Sequence, residues 1–330
     1  MSAGPLAAVT GATGVVGPTL VRRLVGEGYR VRILSRRPPS PGLLPVEVEV
    51  VLGDLSRFPD LRAFTAGAQV VFHLAAHLHQ RDVDDAALDA YERVNVEGTR
   101  ALIDAARAEG VRRFVFFSTI NVYGPTEPGR VHSEDSPPRP ETPYARSKLE
   151  GERAVLAAAA SDFEPVVLRL AAVYGRRMKG NYPLLLRAIR SGWFVPVGRG
   201  ENRRTLVHVE DVARAALLAA EHPAAAGRVY NVTDGQVHTF RSIVEAMASA
   251  VGRRPPRFHL PAGPIRAALR IGGAVPGLSR HAGRAGALLE KLLEDVAVSG
   301  DRLARELGFR PRYGLREGWL EAAGSLEVDT

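Results

Sequence analysis

Apolar positions in the first half of the chain fall into short continuous runs: Leu6 to Thr10, Arg30 to Leu34, Val46 to Leu52, Gln69 to His73, Arg113 to Ser118 and Pro165 to Leu170. Between them, helix-period segments cover Val15 to Glu27, Ala86 to Glu109 and Tyr144 to Ala160. Strands that are apolar on both faces and separated by crossover-length helices predict a parallel sheet covered on both sides, the doubly wound α/β plan. After Leu170 the rhythm breaks at Pro183, Gly192, Pro196, Gly198 and Gly200, and again through Gly263 to Gly277. Arg204 to Tyr230 reads as strand, helix, strand. The predicted organisation is a sheet domain over residues 1–170, with 204–230 returning to it, and a smaller mixed cap built from 171–203 and 231–330. Neither an internal repeat nor a low-complexity tail is visible.

Composition narrows the function. A chain of 330 residues with 45% hydrophobic and 24% charged positions is too apolar for intrinsic disorder. It has no cysteine, which excludes disulfides, thiolate nucleophiles and cysteine zinc sites, so redox chemistry has to come from a cofactor. No apolar run approaches the roughly 18 residues of a membrane span, and the opening Met-Ser-Ala-Gly-Pro lacks the basic leader of a signal peptide. A cytoplasmic protein is expected. The net charge of +8 would suit nucleic acid, but the arginine pairs at 22–23, 112–113, 203–204 and 253–254 are scattered, with no basic run and no aromatic interleaving. Anionic small molecules are the expected partners instead. Lysine is rare, standing only at 148, 179 and 291.

The first strand runs into Thr10-Gly11-Ala12-Thr13-Gly14-Val15-Val16-Gly17 and then a helix. Glycines there permit a tight turn and close approach of backbone N–H groups to a pyrophosphate resting on the helix N-terminus. A dinucleotide site of Rossmann type follows from that context. An NAD site would usually end its second strand with a carboxylate about 20 residues past the glycines. Here the strand ends in Ser35-Arg36-Arg37. Forked guanidinium donors suit a ribose 2′-phosphate, which favours NADP, with NAD as the alternative if the arginines are merely exposed loop residues.

Six motifs occur in one order: the glycine turn, Gly53-Asp54-Leu55, His73-Leu74-Ala75-Ala76, Asn95-Val96-Glu97-Gly98-Thr99, Ser118 to Gly124, and Tyr144-Ala145-Arg146-Ser147-Lys148. Together they resemble the extended short-chain dehydrogenase/reductases of the NAD-dependent epimerase/dehydratase family, nearest to nucleotide-sugar 4-epimerases and 4-ketoreductases. The resemblance implies that Tyr144 and Lys148 are the catalytic pair, and residues four apart do share a helix face. An ammonium near the phenol would favour the phenolate. Thr119 matches the hydroxyl that binds the reacting oxygen, with Ser118 as runner-up. The cofactor residues implied are Gly11, Thr13, Gly14, Val15, Val16, Ser35, Arg36, Arg37, Asp54, Leu55, Leu74, Ala75, Ala76, Asn95, Ser118, Tyr144 and Lys148. A purely structural bond is the alternative for Asn95. His73, His77 and His79 lack an accompanying carboxylate cluster, so no metal is expected.

The same resemblance bears on the reaction. Dehydratases carry an Asp-Glu pair after the catalytic threonine, where this chain has Ile120 and Asn121, neither capable of acid/base work. Arg204 and Asn181 match residues that grip the diphosphate of a sugar nucleotide, whereas Ala172 replaces an asparagine found in many epimerases. The expected activity is hydride transfer at C4 of a nucleotide-linked sugar, by a 4-ketoreductase or 4-epimerase. A reductase of an apolar carbonyl, sterol- or dihydroflavonol-like, is the alternative, and a redox-sensing protein without turnover is a further rival that the intact catalytic set disfavours. Relatives pair as homodimers through the helices at 86–109 and 144–160. The basic stretch from Ile265 to Lys291, with Arg266, Arg270, Arg280, His281 and Arg284, has three open readings: a lid, a helix near anionic lipid, or a solvated face.

Overall fold

The computed structural model describes residues 4–57, 61–78, 85–127, 129–274, 282–283, 285–286, 289–290 and 293–325. His79, Arg280, His281, Arg284 and Lys291 lie outside the described residues. Strand β1 (Leu6–Thr10) leads through the glycine turn into α1 (Gly17–Gly26), then β2 (Arg30–Ser35) and β3 (Glu49–Leu52). Helix α2 (Leu61–Thr65) precedes β4 (Val70–His73), and α3 (Asp85–Tyr91) passes through one π-helical stretch, Glu92–Glu97, into α4 (Gly98–Ala108). After β5 (Arg113–Thr119) come α5 (Pro143–Ala157), β6 (Glu164–Leu170), β7 (Ala172–Tyr174) and α6 (Asn181–Ser191). The remainder is β8 (Arg203–Arg204), β9 (Leu206–His208), α7 (Val209–Glu221), β10 (Val229–Val232), β11 (His238–Thr239), α8 (Phe240–Ala250), α9 (Ala262–Ala274), α10 (Asp301–Leu307) and α11 (Leu315–Ser325).

Seven strands form one sheet in the order β10-β6-β5-β4-β1-β2-β3, every pair parallel. The chain leaves β1 toward β2 and β3, then returns to lay β4 on the other side of β1. That reversal opens a crevice at the carboxyl ends of β1 and β4, the place where open α/β sheets bind ligands. The register sets Thr10 beside His73 and Thr119 beside Leu170, so the strand ends form one rim.

Both faces of the sheet are sealed, as its continuous apolar strands require. On one side Leu20, Val21 and Leu24 of α1 meet Val212, Ala213 and Ala216 of α7; on the other Phe64, Leu102, Ile103 and Val155 cover Phe114, Phe116 and Val167. A separate core joins α6, α8 and α11 through Leu186, Ile189, Ile243, Met247 and Trp319.

Three expectations need correction. Strand β3 begins at Glu49, because Val46 sits in a turn region after Pro45 with 97% of its surface exposed. The helix expected over 86–109 is interrupted at Glu92–Glu97. Within 204–230, β10 joins the sheet beside β6, but β9 pairs with β7 in a small two-stranded ladder. Among the described residues, no helix is long and apolar enough to cross a membrane.

Candidate active site

One cavity of about 2700 Å³ runs along the rim from Ser35, Arg36 and Arg37, across the glycine turn, to Thr119 and Tyr144, and on to Asn181 and Arg204. Of the residues expected at the site, Gly11, Thr13, Gly14, Val15, Val16, Asp54, Leu55, Leu74, Ala75, Ala76 and Ser118 also line it.

The glycine turn is packed flush against the end of β4. Gly11 has φ +72°, and a Cβ there would stand 2.6 Å from the Ala75 nitrogen. A Cβ on Gly17 would stand 2.3 Å from the Ala12 oxygen. Val16 caps α1 without any side-chain hydrogen bond, so no side chain caps the first-turn N–H groups. An exposed cradle of backbone amides at a helix start fits the pyrophosphate of a dinucleotide.

At the β2 end of this cradle, Ser35 Oγ donates to the Arg37 carbonyl at 2.7 Å, which shapes the loop that leaves Arg36 and Arg37 exposed. Asp54 Oδ1 accepts from the Ser56 nitrogen and hydroxyl at 3.0 and 2.9 Å. Partial burial raises its pKa, but those bonds and the Arg36 and Arg57 cations outweigh it and hold the carboxyl below its usual range.

His73 carries a directional chain beneath the turn. The Ala75 N–H donates to Thr10 Oγ1 at 3.2 Å, Thr10 Oγ1 meets His73 Nδ1 at 2.7 Å, His73 Nε2 meets Thr99 Oγ1 at 2.9 Å, and Thr99 donates to the Asn95 carbonyl at 2.7 Å. Because Thr99 spends its proton on that carbonyl, His73 must donate from Nε2 and accept at Nδ1. Burial pushes the imidazole down to about 3, helped by Lys148, so it stays neutral.

Asn95 and Lys148 are almost wholly buried behind the cavity wall. The Asn95 amide is fully used: Oδ1 accepts from the His77 nitrogen at 2.7 Å, and Nδ2 donates to the His77 carbonyl at 3.1 Å and to Ser147 Oγ at 2.9 Å. Ser147 in turn donates to the Tyr144 carbonyl at 2.9 Å. The π-helical stretch thus binds the end of β4 to the first turn of α5, which Thr142 caps by accepting from the Ala145 nitrogen behind Pro143.

The Lys148 ammonium lies 3.9 Å from the Phe116 ring centre. Burial pulls its pKa down to about 7 against the raising influence of Glu152. Burial pushes the Tyr144 phenol up to about 12, with Tyr91 acting in the same direction. In the dinucleotide-free protein burial therefore sets the phenol, in the direction opposite to the lowering expected from a neighbouring ammonium. Thr119 Oγ1 accepts from the Asn121 nitrogen at 3.2 Å, which leaves its proton available to an oxygen in the cavity.

Sequence reading missed the buried network behind this wall. Ser118 donates to Glu152, whose carboxylate is held by Arg169 at 2.6 to 3.1 Å. Arg169 also donates to the Tyr123 hydroxyl at 2.8 Å, and Tyr123 to Asn231 at 2.8 Å. The available signal was a charged residue inside the apolar strand 165–170, which has to find a partner. Arg177 and His77 were likewise not foreseen on the cavity wall; Arg177 adopts φ +59° and His77 Nε2 has no hydrogen-bond partner among the described residues. No metal-binding group of three or more His, Cys, Asp or Glu occurs among the described residues.

The model of the NAD-dependent epimerase/dehydratase family matches residues 7–233. The chain belongs to this family. Members similar to it include the UDP-glucose 4-epimerase of Vibrio cholerae, 31% identical over 96% of this chain and 93% of that protein. The ceramide reductase of Caulobacter vibrioides is 32% identical over 97% of this chain and 95% of the relative. Among solved structures, MoeE5 in complex with UDP-glucose and NAD is 30% identical, covers 99% of both chains and superposes with a TM-score of 0.76. The chain is thus an enzyme of the short-chain dehydrogenase/reductase type.

Proposed function

We propose that this family member moves a hydride between a nicotinamide dinucleotide and C4 of a sugar carried on a nucleoside diphosphate. The observation that carries this reading is that Arg177, Lys179, Asn181 and Arg204 line the same cavity as Thr119 and Tyr144, three cations against Glu290 and Glu294 on that wall. A diphosphate supplies the matching charge. The names of the similar proteins that act on or bind UDP-glucose support it.

In this mechanism the backbone of Gly11 to Val16 holds the pyrophosphate, Leu74 to Ala76 and Asp54-Leu55 flank the adenosine, and Arg36 and Arg37 grip a 2′-phosphate, so the cofactor is NADP before NAD. When bound, the nicotinamide accepts or supplies the hydride. Thr119 donates to the sugar oxygen, Tyr144 moves the hydroxyl proton as acid or base, and Lys148, one turn along α5, stabilises the phenolate. Ile120 and Asn121 provide no acid/base pair, which leaves water elimination unsupported. Residues 171–203 and 231–330 act as the substrate cap, and α4 and α5 pair two copies.

The test is assay of dinucleotide released on denaturation, titration of the stripped protein with NADP and NAD, and a panel of UDP- and dTDP-linked 4-keto sugars. Turnover of one of these with NADPH supports a ketoreductase. Retained NAD supports an epimerase, and a UDP affinity unchanged by Arg204→Met removes the diphosphate reading. A second reading, reduction of an apolar carbonyl, is favoured by Tyr182, Leu185, Phe194, Val197 and Leu293 on the same wall and by the similarity to a ceramide reductase.

A further inference from the structure

The outer face of the substrate side presents aromatic residues to solvent amid arginine. Trp193 is 88% exposed and Phe258 is 83% exposed, with Leu184 and Leu260 half or more exposed near them in sequence. These side chains do not lie on wandering tails. The Arg253 guanidinium donates to the Arg190 carbonyl at 3.0 Å, the Leu260 nitrogen to the Pro196 carbonyl at 2.9 Å, and the Gly198 nitrogen to the Leu260 carbonyl at 2.8 Å. The segment carrying Trp193 and the segment carrying Phe258 are therefore tied to one another at both ends.

The segments that carry them have charge of one sign. From Ala246 to Leu289 the chain has no aspartate or glutamate and seven arginines. Arg187, Arg253, Arg254 and Arg257 are exposed. Among the described residues Arg266 is paired with Glu290 at 2.7 Å. Large exposed aromatics are costly to leave in water, and indole rings bordered by guanidinium groups match the boundary between lipid headgroups and acyl chains. A flat anionic surface satisfies both halves of the patch at once: rings enter the headgroup layer while arginines meet lipid phosphates.

We infer that the face formed by Trp193, Phe258 and the arginines 187, 253, 254 and 257 docks this protein on an anionic phospholipid surface. Phe194 and Val197, in the same segment as Trp193, line the cavity, so docking sets the cavity mouth at the lipid boundary. The inference is independent of which substrate the cavity takes.

The chain offers its own probe. It has two tryptophans, Trp193 at 88% exposure and Trp319 fully buried, so changes in indole emission on docking report Trp193. Purified full-length protein is mixed with vesicles of phosphatidylcholine alone or with 30% phosphatidylglycerol, about a third being anionic as in a strongly charged leaflet, and followed by emission and co-sedimentation. The expected result is a blue shift and sedimentation only with the anionic vesicles, reversed by salt as exposed charges are screened. Trp193→Ser with Phe258→Ser, and separately Arg254→Ser with Arg257→Ser, are each expected to lower the bound fraction about tenfold while dinucleotide binding is kept. No binding to either vesicle overturns the proposal, as does equal binding to both. Self-association that Trp193→Ser abolishes, without vesicle binding, also overturns it and assigns the face to a second copy.

Discussion

Arg169 Nη2 stands 2.6 Å from Glu152 Oε2, and both side chains are almost wholly withdrawn from solvent. The pair lies beneath the wall that carries Ser118, and Glu152 is one turn beyond Lys148 on α5. Burial alone would make either charge costly, yet the Glu152 and Tyr123 contacts hold the Arg169 pKa above its ordinary value. Removing one partner leaves the other buried and uncompensated, at a cost of about 3–5 kcal/mol. Glu152→Ala is expected to lower the free energy of urea unfolding by that amount and the midpoint with it, and Glu152→Leu combined with Arg169→Met to recover most of it. A Glu152→Ala midpoint equal to that of the parent chain would show that the pair contributes nothing.

The buried Lys148 predicts a trade between stability and activity. A lysine whose pKa falls from 10.5 to about 7 on folding binds fewer protons in the native than in the unfolded chain between those values. Stability contributed by that site therefore rises with pH across the window, and below it the full penalty of the buried ammonium is present. Lys148→Met is expected to stabilise the dinucleotide-free protein at pH 7 by on the order of a few kcal/mol, with the gain shrinking toward pH 10.5. The same variant, like Tyr144→Phe, should lose about 10²- to 10⁴-fold in kcat. Thermal unfolding at several pH values checks the first half, and a gain that does not depend on pH would refute the titration argument.

How far the sequence could be read depended on whether a feature was local. The strands ending at Thr10, His73 and Leu170 were legible because a strand buried on both faces must be continuously apolar. The glycine turn was legible because tight backbone approach permits no side chain. Asn95 was legible as a functional or structural amide of that helix, but its partners His77 and Ser147, 18 and 52 residues away, are set by tertiary packing that no local pattern encodes. The tautomer of His73 depends on Thr10 and Thr99, 63 and 26 residues away, and no local pattern encodes it. Glu152 has its reason in Arg169, 17 residues along the chain on the neighbouring strand, and no local pattern pairs the two. The two-residue strands β8 and β11 escaped notice because pairing that short carries no periodicity.

Gly11 tests the cradle itself. Its φ of +72° is a left-handed conformation costing a residue with a Cβ roughly 1–2 kcal/mol, and the Cβ would also press on the Ala75 nitrogen at 2.6 Å. Gly11→Ala is expected to push β4 and the turn apart, weakening both stability and dinucleotide affinity. Gly110, also at positive φ but with open space at its Cβ position, is the control, since substitution there should lower stability without touching affinity. Isothermal titration with NADP separates the two, and equal affinity in both variants would remove the turn from cofactor binding.

Arg36 and Arg37 are where the choice of dinucleotide can be tested. They sit at the end of β2, exposed on the cavity rim, with Asp54 kept ionised nearby by the Ser56 hydrogen bonds despite its partial burial. A charge-assisted contact to a 2′-phosphate is worth about 1.5–3 kcal/mol, or roughly tenfold to a hundredfold in affinity. Arg36→Ala is expected to raise the Kd for NADP by at least about tenfold and to leave that for NAD within about twofold, because NAD presents no phosphate to lose. Arg37→Ala, with Ser35 Oγ bonded to the Arg37 carbonyl whatever side chain stands there, is expected to act through charge alone and to flatten the salt dependence of NADP affinity. Parallel losses for both dinucleotides would mean that the arginines shape the loop without reading the ribose, and the preference for NADP would fall.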